Sequence, residues 1–175
     1  VPVTESGEVV GIVTKTDLLK SGRIKRLQMP VSAIMDDATV INRYHSVDHV
    51  IDTMSGRNDK LIVANNDGTI AGIITETNLA FYEPFGMRPG SEEKDVKFLR
   101  KEEPAGEKHN RYIVRATVIA EDVMTHPAIT TPPETKVSEA VQVMRQHHIN
   151  SIIVTEENEI KGILKRDAII REVAK

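Results

Sequence analysis

Three stretches of the sequence carry a glycine, two apolar residues and then a cluster of hydroxyl, amide, carboxylate or cationic side chains. They are Gly11-Ile12-Val13-Thr14-Lys15-Thr16-Asp17, Gly72-Ile73-Ile74-Thr75-Glu76-Thr77-Asn78 and Gly162-Ile163-Leu164-Lys165-Arg166-Asp167. In the first, Thr14 closes a strand and Asp17 falls in the first turn of the following helix, which aims both into one cleft. A carboxylate so placed accepts from both hydroxyls of a ribose. A threonine hydroxyl beside helix N-terminal amides suits a phosphate. The same spacing also makes an ordinary helix cap, and taken as residues alone Thr14 and Asp17 fit the cap better. In the second stretch Asn78 keeps an acceptor oxygen but loses the charge, and Glu76 is unhelpful beside a phosphate, so this site is expected to be weaker or empty. The third stretch is one residue short and lacks the threonine. Asp167 offers a carboxylate acceptor there, and Lys165 or Arg166 either neutralises phosphate or is a solvated cation at a helix start.

The elements that must position these groups repeat along the chain. Val1–Leu19, Leu61–Leu79 and Ile152–Ile169 each read as a short apolar strand, a polar turn, a second strand and a helix start. The turns are Ser6-Gly7, Asp67-Gly68 and Glu157-Asn158. Two copies extend upstream, over Val31–Met54 and Ala120–Met144. In both, an early methionine (Met35, Met124) and a β-prone stretch lead into an amphipathic helix. Val47, Val50, Ile51 and Met54 match Val137, Ala140, Val141 and Met144, a spacing that predicts one buried helical face. Asp48 and Glu139 stand in the first turns, where the helix dipole favours acids.

The repeat predicts an α+β fold built of units of about sixty residues. Residues 1–22 form the C-terminal half of a truncated unit, 30–82 a full unit, 83–115 an insertion or linker, and 116–175 a second full unit. Within the insertion, a short helix is expected near Asp95–Leu99 and a strand at Tyr112–Val114. The chain opens inside a strand, at Val1-Pro2-Val3, and reads as a fragment or a processed chain.

Composition excludes several functions. The net charge of −3 gives no field that gathers nucleic acid or an anionic membrane. With no Cys in the chain, disulfides, thiolate metal sites and a Cys nucleophile are excluded. No apolar run approaches the ~18 residues of a membrane span, and no signal peptide is present, so a soluble, cytoplasmic protein is expected. His45 and His49 stand four apart near Asp48 and Asp52. However, His45 precedes the helix cap Ser46, and no metal site is expected. Metalloprotease, nucleophile-elbow and P-loop patterns are absent, and no catalytic constellation is found.

These residues resemble the CBS domain, named after cystathionine β-synthase. The most telling segments are Asp122–Met144 (DVMTHPAITTPPETKVSEAVQVM) and Gly7–Leu19 (GEVVGIVTKTDLL). The resemblance covers nearly the whole chain except Glu83–Arg115. It implies tandem units, each a small three-stranded sheet with two helices, packed in pairs through their sheets. It further implies a regulatory role, with AMP, ADP, ATP or S-adenosylmethionine bound in clefts between paired units and no cofactor required. Carried onto this sequence, the nucleotide-binding residues are Thr14, Asp17, Thr75, Asn78, Lys165 and Asp167. The base is expected near Thr39-Val40-Ile41, Ala128-Ile129-Thr130 and Asn150-Ser151-Ile152. Two pairings are open: the first unit with the second, or the second with the third across the insertion. A homodimer and an unidentified regulated protein are the expected partners. A ligand-free assembly module is the alternative.

Overall fold

The computed structural model describes residues 1–55, 58–82 and 118–174. The insertion, with the expected helix near 95–99 and strand at 112–114, lies outside the described residues. The chain forms β1 (Pro2–Glu5), β2 (Glu8–Ile12), α1 (Lys15–Leu18), β3 (Val40–Asn42), α2 (Val47–Met54), β4 (Lys60–Ala64), β5 (Ile70–Thr75), α3 (Glu76–Ala80), α4 (Ala120–Val123), β6 (Thr130–Thr131), α5 (Val137–Gln146), β7 (Ser151–Glu156), β8 (Glu159–Lys165) and α6 (Arg166–Val173). Two short 3-10 helices, Gly22–Arg26 and Val31–Ala33, precede β3.

The second and third units have the same topology. Sheets β3-β4-β5 and β6-β7-β8 each join a parallel pair to an antiparallel hairpin. The parallel pairs need a crossover, which α2 and α5 supply. The hairpins follow from their turn residues. Ser6 and Gly7, and Glu157 and Asn158, all have positive φ, as a two-residue turn matched to strand twist requires.

Alternation along the strands divides the apolar residues between two faces. Leu61, Val63 and Ile74 form a core with Ile41 and Val50, while Ile152, Val154 and Leu164 form a core with Val137, Val141 and Met144. The intervening residues Ile62, Ile153 and Ile163 point away from these cores, yet are only 1%, 1% and 2% exposed. They are buried because the sheets of the two units cover one another, which is the packing through sheets that the resemblance implied.

The two units also exchange their leading segments. Met29, Val31, Ile34 and Met35, which precede the second unit's β3, pack in the third unit's core. Val118, Ala120, Val123 and Met124, which precede the third unit's β6, pack in the second unit's core. Each segment is pinned by paired backbone bonds. The Asp36 and Ile163 amides donate to one another's carbonyls at 2.9 Å both ways, and Ile73 and Thr125 do the same at 3.0 and 2.9 Å. Fully burying a side chain such as Val31 contributes about 1.5–3 kcal/mol, so each unit depends on residues from the other's lead. Arg43 adds a fork to this exchange. It donates to Glu121 from Nε at 2.9 Å and from a second guanidinium nitrogen, and to Asn65 Oδ1 at 2.7 Å.

One expectation about the helices is corrected. Val141 is buried, but its match Ile51 is 46% exposed. Val141 shares its core with Ile24 of the 3-10 helix, a cover that the structure does not place in the second unit's core.

The first unit is a bare hairpin. Both strands are exposed along their whole length, with Val9 70% and Ile12 71% exposed. Leu19 anchors it, buried in the third unit's core.

Candidate functional site

A cleft of about 540 Å³ runs between the second and third units. The second unit contributes Asp59, Lys60, Ile73, Thr75, Glu76 and Thr77, and the third contributes Thr125, His148–Ser151 and Lys165–Asp167. Lys15 reaches in from the first unit. The lining is assembled from equivalent positions of the two repeats. Lys60 is the cross-strand partner of Thr75, and Ser151 is the cross-strand partner of Lys165. Asp59 and Asn150 stand just ahead of β4 and β7.

Local chemistry places each group. α5 ends in a Schellman turn: the His148 amide donates to the Arg145 carbonyl at 3.3 Å and the Ile149 amide to the Met144 carbonyl at 2.9 Å. His148 takes the positive φ of 55° that this turn needs, and Ile149 packs on the core that holds Met144. The turn delivers Asn150 and Ser151 to the cleft. On the other wall, Thr75 caps α3 with Asn78. The Thr75 amide and hydroxyl donate to Asn78 Oδ1 at 2.9 and 2.7 Å. The Asn78 amide group then donates to Thr125 Oγ1 at 2.9 Å.

Ion pairs cross the cleft. Lys165 Nζ, 21% exposed, donates to Asp59 Oδ1 of the other unit at 2.7 Å. Lys60, 14% exposed, bonds the second oxygen of the same carboxylate. Partial burial pushes the Asp59 carboxyl up, but the hydrogen bonds from Lys165 and Lys60 more than reverse this and hold it at about 2. At the rim Lys15 Nζ meets Asp167 at 2.7 Å, with both side chains more than half exposed. Arg166 donates to the Asn150 side chain at 2.8 Å and to Thr16 Oγ1 at 3.1 Å. The third unit's helix start is thereby tied to the first unit.

Of the residues expected from sequence, Thr75, Ser151, Lys165 and Asp167 line this cleft. Thr14 and Asp17 do not. They form a capping box on α1, in which the Thr14 amide and hydroxyl donate to the Asp17 carboxylate at 3.0 and 2.6 Å. With Lys20 also donating to it, the Asp17 carboxyl is held at about 2. Asn78 stands behind the lining, against Thr125. Ile129 packs on the third unit's core and Ile152 belongs to it, while Thr130 is exposed on β6. Asp167 does not occupy the position of Asp17 and Asn78. Those are the third residues of their helices, and the third residue of α6 is the buried Ala168. His45 and His49 meet edge to face at 4.3 Å, but among the described residues no group of three side chains is placed to hold a metal ion.

Sequence reasoning did not single out Asp59, Lys60, Lys15, Thr77 or Thr125. Their signal was available in part. Asp59-Lys60 aligns with Asn150-Ser151, which the family resemblance marked as near the base.

The CBS domain family model matches residues 1–23, 31–83 and 120–175, and the chain belongs to that family. It is 24% identical over 98% of its length to an uncharacterised protein of Methanocaldococcus jannaschii, and spans 39% of that relative. Among solved structures, it resembles the CBS domain of a CBS-domain-containing membrane protein from Sphaerobacter thermophilus at a TM-score of 0.59 and 25% identity, covering 85% of this chain and 91% of that one. CBSX2 in complex with AMP matches at 0.58 and 14% identity, over 83% of this chain and 96% of that one. The cytosolic domain of the Mg2+ channel MgtE in complex with ATP matches at 0.57 and 12% identity, over 86% and 51%. No helix among the described residues is long and apolar enough to cross a membrane.

Proposed function

We propose that this CBS-domain chain is a regulatory module that senses an adenosine nucleotide or S-adenosylmethionine in the cleft between its second and third units, and is not itself an enzyme. The observation that carries this reading is the cleft itself. It is large enough for a nucleotide, it is lined by hydroxyl, amide and cationic groups from both units, and it lies where the two sheets pack together. Ser151 and Lys165, Thr75 and Lys60 offer donors and acceptors to ribose and phosphate. Two proteins of the same fold, CBSX2 and MgtE, are complexed with AMP and ATP respectively, which supports the ligand class.

A ligand spanning both walls binds only one relative placement of the two units well, and so shifts their arrangement toward it. The exchanged leading segments make that shift a property of the pair rather than of one unit. The reading includes a cytoplasmic location, where adenine nucleotides are available, and a regulated protein that reads the change.

A second reading, a ligand-free assembly module, is favoured by the bare first hairpin. Its exposed apolar strands suit pairing with another copy in a homodimer. A thermal-shift panel with AMP, ADP, ATP and S-adenosylmethionine separates the two. A ligand at about 100 times its Kd adds roughly 2.7 kcal/mol to the folded state and raises the melting temperature. If none of the four moves it while the chain self-associates, the sensor reading falls and the assembly reading stands.

A further inference from the structure

Two sheltered cations of the cleft, Lys60 and Lys165, come from different units and share one carboxylate, that of Asp59. Taking this cleft as the ligand site, we propose that Asp59 is an internal competitor for that site: it occupies the phosphate-binding lysines, and it makes the cleft selective for ligands that carry a phosphate.

Charge and oxygen count decide which anion holds the lysines. The triad of two lysines and one aspartate carries a net charge of +1, so an anion is attracted even with Asp59 in place. The rest of the lining does not cancel this excess. Asp167 is taken up by Lys15, and Arg166 is directed at the neutral Asn150 and Thr16 side chains. Glu76 stands on the second unit's wall. A phosphate monoester carries about −1.5 to −2 and three acceptor oxygens, so it accepts from both lysines at once and outbids a single carboxylate. S-adenosylmethionine offers a single carboxylate beside two cationic groups, its ammonium and its sulfonium, and adenosine offers no anion. Neither displaces Asp59 from the two lysines, so neither depends on removing that carboxylate.

The asymmetry of the repeat points the same way. At the positions equivalent to Asp59, Lys60 and Thr75, the third unit has Asn150, Ser151 and Lys165. The triad around Asp59 therefore has no symmetric counterpart built from the equivalent positions. Asp59 is 41% exposed and faces the cleft, so it can swing to solvent when displaced.

The test is isothermal titration of the full chain with AMP, ATP, adenosine and S-adenosylmethionine, on wild type, Asp59→Asn and Lys165→Gln. Asp59→Asn is expected to bind AMP and ATP about tenfold more tightly, with adenosine unchanged. Lys165→Gln is expected to bring AMP down to the affinity of adenosine. Equal or weaker AMP and ATP binding by Asp59→Asn, or an equal gain for adenosine, overturns the inference. Should Asp59→Asn fail to fold, as circular dichroism would reveal, Lys165→Gln carries the test, and unchanged AMP affinity overturns it. If wild type binds adenosine as well as AMP, the competitor role falls while the ligand cleft stands. If no adenosyl compound binds wild type or either variant, the proposed function itself falls, and this inference with it.

Discussion

Replacing Gly72 or Gly162 with alanine tests the exchange of leading segments between the two units. A Cβ at Gly72 lands 2.7 Å from the Thr125 carbonyl oxygen and 2.8 Å from Met124 Sδ. At Gly162 it lands 2.8 Å from the Asp36 carbonyl oxygen and 2.9 Å from Met35 Sδ. The methionines can turn aside, but both carbonyls are fixed by the paired backbone bonds of the exchanged segments. Overpacking of this kind destabilises by about 1–3 kcal/mol. The lower backbone entropy of unfolded alanine offsets roughly 0.5–1 kcal/mol of that. The net loss spans about 0–2.5 kcal/mol and is centred on about 1.3 kcal/mol, which at a urea slope of about 2 kcal/mol/M moves the midpoint down by roughly 0.6 M. Gly11 is the matched control, because nothing lies within 4 Å of its added Cβ. Gly11→Ala should leave the midpoint unchanged or raise it slightly. Urea unfolding followed by circular dichroism reads all three variants. Wild-type stability in Gly72→Ala and Gly162→Ala, or an equal loss in Gly11→Ala, would refute the exchange.

Other outcomes follow from the same structure. Met144→Ala should destabilise by about 2–5 kcal/mol, whereas Ile51→Ala, at the position that matches the buried Val141 but 46% exposed, should stay within about 0.5 kcal/mol; equal losses in urea unfolding would contradict the core assignment. Asp59 is held at about 2 in the folded chain, below its ordinary 3.8. Its stabilising contribution is therefore complete above about pH 4 and is lost as pH falls toward 2. The stability gap between wild type and Asp59→Asn should close across that window, and a gap that stays constant would show that the carboxylate is not the source. Lys15→Ala removes a half-exposed pair at the rim and should change unfolding stability by less than about 1 kcal/mol; a larger loss in thermal melts would mean that the pair holds the first unit in place.

Much of this organisation was written in the repeats. The positive-φ turns, the capping pairs Thr14–Asp17 and Thr75–Asn78, and the helical face from Val137 to Met144 follow from short-range rules that each copy states independently. The exchange of leading segments was not legible, because Met35 and Met124 repeat at the same place whether they pack on their own unit or on its neighbour. Only the three-dimensional approach of Met35 to Gly162 and of Met124 to Gly72 distinguishes the two. The site was half legible. Thr75, Lys165 and Asp167 were marked by the signature and Ser151 by the family resemblance, and all four line the cleft. The most complete signature, Thr14 to Asp17, satisfies itself as a helix cap on a half-unit whose strands face solvent. Asp59 gave no signal beyond its alignment with Asn150, since its partner Lys165 is 106 residues away and the pair forms only when two sheets meet. The shortened third signature was misleading for a related reason: one fewer residue moves its acid to the second position of the helix, and Ala168 takes the buried third.

The central claim is that an adenosyl ligand sits between the second and third units. A backbone amide NMR titration of the full chain with AMP and then ATP tests it most directly. The account predicts shifts concentrated at Asp59, Lys60, Thr75, Thr77, Asn150, Ser151 and Lys165, with the amides of Thr14 and Asp17 little moved. Shifts centred on Thr14 and Asp17, or none at saturating nucleotide, would contradict it.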